Sequence, residues 1–410
     1  MYTVYPSTIS GTVHAPASKS ETHREFILSA LACGTSVIKN PLESADTKAT
    51  LRGISALGAK VERNGSDVII TGGTLHVAEE IIDCGNSGTT LRFLTAVAAR
   101  LEGTTRFTGD ESLMKRPMQP LLDALSASCG AEFSFDEGIL SVTGSLREVC
   151  CVEIRGDISS QFISALLIVG IPVKLTTPLV SSSYADMTIH ALTMRGIHIK
   201  KTADEYRIAS GITTPLPRTV EIAGDWSSAA FLFAAGVLAG SVTVTGLDLA
   251  STQGDKRIID LLQNFGAKFS FGEGITVSKS ILKGCNADVS DNPDLFPVLA
   301  VIAAAASGIS RFYGVSHLIY KESNRLRGMS AILSKMGVSV EVSSGCVAIT
   351  GGKLHGASVS AEKDHRLFMA AVAAGLCAED AVSITDGDDV FSVSYPAFLQ
   401  DICFLKGEIQ

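Results

Sequence analysis

At 410 residues, the chain is longer than the roughly 250 to 300 residues that one hydrophobic core usually supports, so we expect two domains. Apolar residues make up 46% of the chain and charged residues 19%, which is typical of a well-buried globular protein and not of a disordered one. The net charge of −8 argues against a nucleic-acid partner, because binding a phosphate backbone normally needs a basic face.

Cysteine usage and hydropathy indicate a cytoplasmic protein. The nine cysteines are odd in number and show no C-x-x-C spacing, so we interpret them as reduced, mostly buried thiols. The first residues, MYTVYPSTISG, lack the charged and apolar regions of a signal peptide. The longest apolar runs, such as AAFLFAAGVLAG at 229–240, fall short of the roughly 20 residues that cross a bilayer. We therefore expect no membrane span.

Taken in chain order, one unit recurs six times: a polar start, a helix of small apolar residues, and a strand. The starts lie at Ser20, Asn86, Ser159, Asp225, Asp294 and Asp364. Between them an amphipathic helix leads into a hairpin, five times in full and a sixth time as the helix AFLQDICFLKGEI at 397–409. The chain is therefore predicted to be built from internal repeats.

The two parts of the repeat predict how it packs. Helices that are apolar all round must be buried, while strands that alternate, as in VERNGSDVIITG, keep one face in water. We therefore expect an α/β fold with helices inside and sheets outside, in two domains of three repeats each. The stretch PLPRTVEIAGD at 215–225 is a candidate crossover, and the first dozen residues could supply a strand to the sixth repeat. The predicted domains are 15–220, and 1–14 together with 221–410.

The stretch CGNSGTTLRFLTAVAA at 84–99 is the clearest candidate for an anion site. A polar turn that runs into a helix directs unpaired N–H groups and the positive end of the helix dipole at one point. Gly88 allows a ligand to approach the backbone closely, and Arg92 adds a two-pronged donor one turn beyond Thr89. The alternative is an ordinary capped helix with a solvated arginine. Cations also lie near several of the other polar starts. Because folding needs no row of cations at buried helix starts, this recurrence favours the anion site.

Eight segments together resemble the 5-enolpyruvylshikimate-3-phosphate synthase family. They are SKSETHR at 18–24, GNSGTTLR at 85–92, MKRPM at 114–118, SSQF at 159–162, SSSYADMT at 181–188, NPDLFP at 292–297, YKESNRL at 320–326 and KDHR at 363–366. The resemblance covers essentially the whole chain. It implies two inside-out α/β barrel domains of three repeats, with the active site in the cleft between them. It also implies transfer of the enolpyruvyl group of phosphoenolpyruvate to the 5-hydroxyl of shikimate 3-phosphate, in aromatic amino-acid biosynthesis.

The resemblance implies a role for each site residue. The implied contacts of shikimate 3-phosphate are Lys19, Ser20, Arg24, Ser159, Ser160, Gln161, Ser181, Tyr184, Asp294 and Lys321. The implied contacts of phosphoenolpyruvate are Lys19, Asn86, Gly88, Thr89, Arg92, Arg116, Gln161, Arg325 and Arg366. Arginines suit this set as forked clamps for a compact polyanion. The implied catalytic groups are Asp294 near the hydroxyl, Glu322 as proton donor to C3, and Lys19 at the leaving oxygens.

Purely structural interpretations remain for the two carboxylates. Asp294 could cap its helix, and Glu322 could simply pair with Arg325 three residues on. The chain also departs from the family's usual pattern at Val393, where a lysine is usual, and at His317, where asparagine is frequent.

Two other functions stay open. An enolpyruvyl transferase acting on UDP-N-acetylglucosamine shares the fold and the donor but usually has a reactive cysteine on the loop at 109–119, where this chain has none. A non-catalytic anion-binding relative would lack the acid and the base. We expect no metal or organic cofactor, because no H-x-x-x-H pair, thiol cluster or G-x-x-x-x-G-K loop occurs. We also expect a monomer.

Overall fold

The computed structural model describes residues 1–209 and 214–410. Within these residues the chain forms two structural units. The first unit spans Ala17–Ile222, and the second unit combines Met1–Pro16 with Ala223–Gln410. Each boundary lies two residues beyond the predicted domain limits at 14/15 and 220/221. Residues 210–213 of the predicted first domain lie outside the described part of the chain.

The elements follow the chain in three groups. Two strands come first and belong to the second unit: β1 (Tyr2–Tyr5) and β2 (Ile9–His14). The first unit contains α1 (Lys19–Leu31), β3 (Gly34–Lys39), α2 (Ala45–Ala56), β4 (Lys60–Asn64), β5 (Asp67–Gly72), β6 (Ile82–Asp83), α3 (Gly88–Ala98), β7 (Gly103–Thr108), α4 (Glu111–Met114), α5 (Gln119–Cys129), β8 (Glu132–Asp136), β9 (Ile139–Gly144), β10 (Val152–Ile154), α6 (Ser160–Ile168), β11 (Val173–Leu175), α7 (Ser182–Thr193), β12 (Ile199–Lys201), β13 (Glu205–Ile208) and β14 (Thr219–Glu221). The second unit continues with α8 (Trp226–Ala239), β15 (Gly240–Thr245), α9 (Ile258–Asn264), β16 (Lys268–Phe271), β17 (Ile275–Ser278), β18 (Asn286–Asp288), α10 (Phe296–Ala305), β19 (Gly308–Tyr313), α11 (Arg325–Lys335), β20 (Ser339–Ser343), β21 (Cys346–Gly351), β22 (Ser358–Val359), α12 (His365–Cys377), β23 (Val382–Ile384), α13 (Phe398–Phe404) and β24 (Glu408–Ile409). Short 3-10 turns lie at Gly254–Arg257, Pro293–Leu295, Ser316–Tyr320 and Val390–Val393.

The described strands form six four-stranded sheets with one shared plan, three in each unit. In each sheet a parallel pair is followed by two antiparallel pairings. The orders are β14-β3-β5-β4, β6-β7-β9-β8, β10-β11-β13-β12, β2-β15-β17-β16, β18-β19-β21-β20 and β22-β23-β1-β24. Because one sheet plan returns six times, the structure confirms the predicted six-repeat fold.

Two edge strands are exchanged where the chain passes between the units. In the other four repeats, the strand before a buried helix pairs in parallel with the strand after it, as β6 and β7 do around α3. Strand β2 precedes α1 but pairs with β15, and β14 precedes α8 but pairs with β3. Strand β1 lies between β23 and β24, so the first residues do supply a strand to the sixth repeat.

The buried helices fill the interior of each unit. All residues of α8 are buried, and α8, α10 and α12 pack against one another in one hydrophobic core. Helices α1, α3 and α6 contribute to the other core. Helix α1 is less apolar and buries the charged residue Glu25. Oε2 of Glu25 accepts from Nη2 of the fully buried Arg195 at 2.6 Å. These helices confirm the prediction of helices inside and sheets outside.

The helix starts agree with the sequence prediction at three positions and shift at three. Side chains of Ser159, Asp225 and Asp364 cap α6, α8 and α12 as predicted. Ser87 caps α3, one residue after the predicted start at Asn86, and Ser18 caps α1, two residues before the predicted start at Ser20. The fifth helix is entered through the 3-10 turn Pro293–Leu295, so Asp294 lies in that turn.

The cysteine prediction was partly wrong. All nine thiols are free within the described ranges, but only Cys84 and Cys129 are buried, and Cys33, Cys150, Cys151 and Cys403 are exposed. Cys150 and Cys151 lie in the loop before β10, where no core surrounds them. Among the described residues, no helix is long and apolar enough to cross a membrane. The same residues contain no group of three or more His, Cys, Asp or Glu side chains placed to hold a metal ion.

Candidate active site

In the first unit, three polar side chains converge on the space beside Gly88. A Cβ built at Gly88 would lie 3.1 Å from Nη1 of Arg92, 3.3 Å from Nη1 of Arg116 and 3.7 Å from Oε1 of Gln161. Gly88 is also the first residue of α3, where backbone N–H groups lack partners inside the helix. Two guanidinium groups and a helix N-terminus around one small space suit a compact anion.

Hydrogen bonds fix the side chains of this space. Nη1 of Arg92 donates to Oε1 of Gln161 at 2.5 Å, and Nε2 of Gln161 donates to Oγ1 of Thr89 at 3.1 Å. Nη2 of Arg116 donates to Oδ1 of Asn86 at 2.6 Å. The structure therefore brings together six predicted ligands of phosphoenolpyruvate in what we call the Gly88 cradle. Its members are Asn86, Gly88, Thr89, Arg92, Arg116 and Gln161.

Lys19 is held by an acidic residue that the sequence interpretation missed. Its Nζ lies 2.9 Å from Oδ2 of Asp46, and both side chains are largely buried. Asp46 lies in the first turn of α2, whose capping box of Ser44 and Thr47 looks like an ordinary helix start in the sequence. The carbonyl of Asp46 accepts from Oγ1 of Thr90 at 3.4 Å, which links this pair to α3.

Arg24 is almost fully buried and binds groups on α7 and on its own helix α1. Its Nε donates to Oγ1 of Thr188 at 2.7 Å, and its Nη2 donates to the carbonyl of Tyr184 at 2.7 Å. Its Nη1 donates to the carbonyl of Ser20 at 2.8 Å. Burial lowers the pKa of Arg24 to about 10, so the guanidinium stays positive at neutral pH. Three predicted ligands of shikimate 3-phosphate thus meet here, and Thr188 supports them.

The remaining predicted ligands of shikimate 3-phosphate in this unit lie at two helix starts. Ser159 caps α6, with its Oγ accepting from the N–H of Gln161 at 3.3 Å, and Ser160 is the first residue of that helix. Ser181 precedes α7 in the left-handed region at φ 54°. That conformation is uncommon for a residue with a side chain and often marks a functional position.

In the second unit, Arg325 joins three carboxylates. The guanidinium is fully buried, and its Nη1 donates to Oδ1 of Asp294 at 2.7 Å. Its Nη2 donates to Oε2 of Glu322 at 2.6 Å, and its Nε donates to Oδ2 of Asp364 at 2.9 Å. Arg325 therefore differs from the open clamp that the sequence interpretation described, since an anion would have to compete with these carboxylates.

Asp294 is surrounded by cations. Its Oδ2 accepts from Nη2 of Arg366 at 2.9 Å, and its Oδ1 lies 4.0 Å from Nζ of Lys321. Burial alone would raise the pKa of Asp294, but the charges of Arg366, Lys321 and Arg325 outweigh it and hold that pKa far below the usual range. We call this group the Arg325 cluster. Its members are Asp294, Lys321, Glu322, Arg325, Asp364 and Arg366.

The structure bears on both structural interpretations of the carboxylates. The two oxygens of Asp294 accept from arginines, Oδ1 from Nη1 of Arg325 and Oδ2 from Nη2 of Arg366, so this carboxylate does more than a helix cap would require. Glu322 does pair with Arg325, as that interpretation expected. About a quarter of the Glu322 side chain is exposed, so this carboxylate is the more accessible of the two that the resemblance implies in catalysis.

Two departures from the family pattern, His317 and Val393, lie in 3-10 turns of the second unit. His317 is buried in the turn before Lys321, and burial together with the charge of Lys321 lowers its pKa to about 4. Val393 ends the turn Val390–Val393, and Phe391 of that turn stacks on Phe368 of α12. Helix α12 also carries Arg366 in its first turn.

Comparison with known proteins gives a consistent result across the chain. The family model for EPSP synthase (3-phosphoshikimate 1-carboxyvinyltransferase) matches residues 4–402. The 3-phosphoshikimate 1-carboxyvinyltransferase of Methanocorpusculum labreanum is 46% identical, with 98% of each chain covered. The protein of the same name from Methanocaldococcus jannaschii is 40% identical, over 98% of this chain and 97% of its own.

Solved structures agree in fold. The EPSP synthase of Acinetobacter baumannii superposes with a TM-score of 0.81 at 25% identity, covering 100% of this chain and 99% of its own. The enolpyruvyl transferase NikO of Streptomyces tendae gives a TM-score of 0.80 at 16% identity, covering 100% of this chain and 98% of its own. At 16% identity, the similarity to NikO concerns the fold alone.

Proposed function

Because the chain belongs to the EPSP synthase family, we infer that it transfers the enolpyruvyl group of phosphoenolpyruvate to the 5-hydroxyl of shikimate 3-phosphate and releases phosphate. The protein is thus a transferase of the shikimate pathway, in aromatic amino-acid biosynthesis. The observation that carries this conclusion is the match of the family model over residues 4–402, together with relatives of that name at 46% and 40% identity. These relatives favour the shikimate substrate over UDP-N-acetylglucosamine.

The Gly88 cradle is the proposed holder of phosphoenolpyruvate in the first unit. Both guanidinium groups already point at the space beside Gly88, where a Cβ would fill the room that an anion needs. The ligand would replace the acceptor groups that Arg92 and Arg116 now use, such as the side chain of Gln161. Phosphoenolpyruvate carries negative charge and accepts stronger, charge-assisted hydrogen bonds than a neutral amide does, so the exchange is favourable.

Shikimate 3-phosphate is proposed to bind to residues of α1, α6 and α7. Hydroxyl groups of Ser159, Ser160 and Ser181 suit the polyol, and the Arg24 guanidinium supplies positive charge beside Tyr184. Lys19 is the remaining cation of this set in the first unit. Its partner Asp46 fixes the direction of the ammonium group and leaves the other Lys19 protons for a ligand.

Asp294 presents a chemical requirement for the reaction. A general base needs appreciable proton affinity, whereas the surrounding cations depress the pKa of Asp294 strongly in the unliganded protein. Arg325 and Arg366 are proposed ligands of phosphoenolpyruvate, so an anion bound to them would take up part of the positive charge that now stabilises the carboxylate. Donor binding would therefore strengthen Asp294 as a base at the moment it is needed.

Glu322 is proposed to deliver the proton that C3 of phosphoenolpyruvate gains. A proton on Glu322 weakens its ion pair with Arg325, which now holds the carboxylate at 2.6 Å. Competition by the anion for Arg325 would relieve this cost as well. One ligand charge would thus prepare both carboxylates, the base at the hydroxyl and the acid at C3.

We further propose that the two units are the two three-repeat domains of this family. The first unit, near the predicted 15–220, supplies most ligands of shikimate 3-phosphate, and the second unit supplies the two catalytic carboxylates. We also propose that the protein is a monomer and that it acts in the cytoplasm. Size-exclusion chromatography with light scattering tests the oligomeric state against the mass of 42.9 kDa.

Isothermal titration calorimetry tests the proposed substrate directly. Titration with shikimate 3-phosphate is expected to give one saturable site, and shikimate without the phosphate should bind much more weakly because Arg24 and Lys19 lose a charged partner. Saturable binding of UDP-N-acetylglucosamine, with none of shikimate 3-phosphate, would contradict the proposal.

A further inference from the structure

The second unit buries a carboxylate, Asp255, to which the reaction as described assigns no role. Asp255 lies in the 3-10 turn Gly254–Arg257 and is 0% exposed. Its Oδ2 accepts from Oγ of Ser227 at 2.5 Å, and its Oδ1 accepts from Nδ2 of Asn292 at 3.2 Å. Ser227 lies in the first turn of α8, and Asn292 directly precedes the turn Pro293–Leu295. Asp255 therefore ties together three elements of this unit.

The hydrogen bonds around Asp255 have a defined direction. Nε2 of Gln253 donates to Oγ of Ser227 at 2.9 Å and to Oδ1 of Asp225 at 2.6 Å, while its Oε1 accepts from the N–H of Trp226 at 3.0 Å. Because Ser227 accepts from Gln253, its own hydroxyl proton is directed to Asp255. The network is thus arranged for an ionised Asp255, which receives a proton donor at each oxygen.

Asn292 connects Asp255 to the proposed base. It occupies the N-cap position of the turn that contains Asp294, and its carbonyl accepts from the N–H of Leu295 at 3.0 Å. Nη1 of Arg257 donates to Oδ1 of Asn292 at 3.4 Å. The amide of Asn292 is therefore held at both ends, by Asp255 and by Arg257, so the backbone that precedes Asp294 has little freedom to move.

Asp255 also interacts with Asp294 through charge. Burial, and then the negative charge of Asp294, raise the pKa of Asp255 to about 6, while Arg366 acts in the opposite direction. The hydrogen bonds from Ser227 and Asn292 lower it as well but do not offset burial. Interactions between two titrating groups are reciprocal, so an ionised Asp255 favours a proton on Asp294.

We propose that Asp255 is a positioning residue for Asp294: through Asn292 it fixes the turn that carries Asp294, and its buried negative charge opposes the cations that weaken Asp294 as a base. This inference rests on the proposed function of Asp294 as the group that accepts the proton of the 5-hydroxyl. The two effects separate experimentally, because the turn depends on the hydrogen bond to Asn292 and the base strength depends on the charge.

Three variants separate the hydrogen bond from the charge. Asp255→Asn removes the charge and keeps the shape of the side chain. Asn292→Ala removes the link to the turn and keeps the charge of Asp255. Ser227→Ala removes one hydrogen-bond donor to Asp255 and keeps both the charge and the link to Asn292. Asp255→Asn should lower kcat at pH 8 roughly tenfold or more, while calorimetric binding of shikimate 3-phosphate changes less than about threefold. Asn292→Ala should also lower kcat.

The dependence of kcat on pH is the measurement that a merely structural role would not move. In the wild type, kcat should fall below about pH 6 as Asp255 gains a proton, because Asp294 then loses the charge that supports it. Asp255→Asn should lack this fall, whereas Asn292→Ala should keep it but at higher pH, because this variant also removes a donor to the ionised Asp255. Ser227→Ala should move the fall to higher pH and leave the rate at pH 8 near that of the wild type, since it destabilises only the ionised form of Asp255.

Two results would overturn the inference: wild-type kcat and pH dependence in Asp255→Asn, or an acid limb that stays in place in Ser227→Ala. If Asp255→Asn fails to fold, as unfolding curves at pH 8 would show, the Ser227→Ala profile decides alone. Failure of the proposed function looks different, because the wild type would then release no phosphate from the two substrates.

Discussion

Nη1 of Arg325 lies 2.7 Å from Oδ1 of Asp294, and the same guanidinium also binds Glu322 and Asp364. Asp294 belongs to the turn before α10, Glu322 to the segment before α11, and Asp364 to the start of α12. One side chain thus binds both proposed catalytic carboxylates and joins the fifth repeat to the sixth.

Neutralising either carboxylate should slow the reaction. Asp294→Asn and Glu322→Gln keep the shape of each side chain but can neither accept nor deliver the required proton, so kcat should fall by roughly 10² to 10⁴ with modest changes in KM. Steady-state phosphate release measures both. Glu362→Gln is a matched control, because Glu362 pairs with the exposed Arg327 outside the Arg325 cluster. A near-wild-type rate would leave the residue concerned with a structural role only.

Loss of Arg325 should destabilise the second unit as well as inactivate the protein. Arg325→Gln leaves three buried or half-buried carboxylates without their shared partner, which should lower the free energy of unfolding by about 3 to 5 kcal/mol. Arg327→Gln, two residues along α11 and largely exposed, should change it by less than about 0.5 kcal/mol. Urea unfolding of both variants makes the comparison. Equal stabilities would show that the cluster contributes nothing to the fold.

A methyl group at Gly88 should obstruct the donor site. The added Cβ would lie 3.1 Å from Nη1 of Arg92 and 3.3 Å from Nη1 of Arg116. Overpacking of this kind costs about 1 to 3 kcal/mol, so Gly88→Ala should weaken phosphoenolpyruvate binding by roughly five- to 150-fold. KM for shikimate 3-phosphate should change little. Gly272→Ala, where a Cβ meets nothing within 4 Å, is the control. An unchanged KM for phosphoenolpyruvate would show that its binding site lies elsewhere.

Asp255 should make stability depend on pH in a predictable direction. Its pKa is raised to about 6 in the folded protein, against about 3.9 when unfolded, so the folded state binds more protons in between. Its contribution is therefore fully present below about pH 4 and is lost as pH rises through about 6, a change on the order of 3 kcal/mol. Comparing urea unfolding of the wild type and Asp255→Asn from pH 4 to 8 isolates it. Parallel curves would contradict the shift.

Val393 offers a test of a cation that this chain lacks. A missing charged contact should weaken donor binding by about 1.5 to 3 kcal/mol, so Val393→Lys should lower KM for phosphoenolpyruvate roughly tenfold to a hundredfold. KM for shikimate 3-phosphate should stay nearly constant. Lys363, directly before the helix that bears Arg366, is the competing candidate for this role. If Val393→Lys and Lys363→Ala both raise KM for the donor, no vacancy exists at Val393.

Much of the fold follows from local sequence patterns. Apolar helices such as α8 and small-residue helices such as α12 must be buried, and three of the six predicted helix starts coincide with the capping residues. The exchange of β2 and β14 between sheets could not be predicted, because strand pairing across more than 180 positions leaves no mark on either strand alone.

The site was less predictable in its ion pairs than in its members. The motifs identified Arg325 and Asp294, but the sequence does not show that one buried guanidinium serves carboxylates 31 and 39 positions away. Asp46 and Asp255 escaped notice for a similar reason. In the sequence each resembles an acidic residue in an ordinary first helical turn, and only the fold places Lys19 beside one and Asn292 beside the other.

Phosphate release from phosphoenolpyruvate, followed with each acceptor in turn, tests the central claim most directly. With shikimate 3-phosphate present, the wild type should release one phosphate for each enolpyruvyl group transferred, and it should release none with either substrate alone. Substituting UDP-N-acetylglucosamine should give no release. Release with the UDP-sugar, or none with shikimate 3-phosphate under conditions where calorimetry shows both substrates bound, would contradict the account.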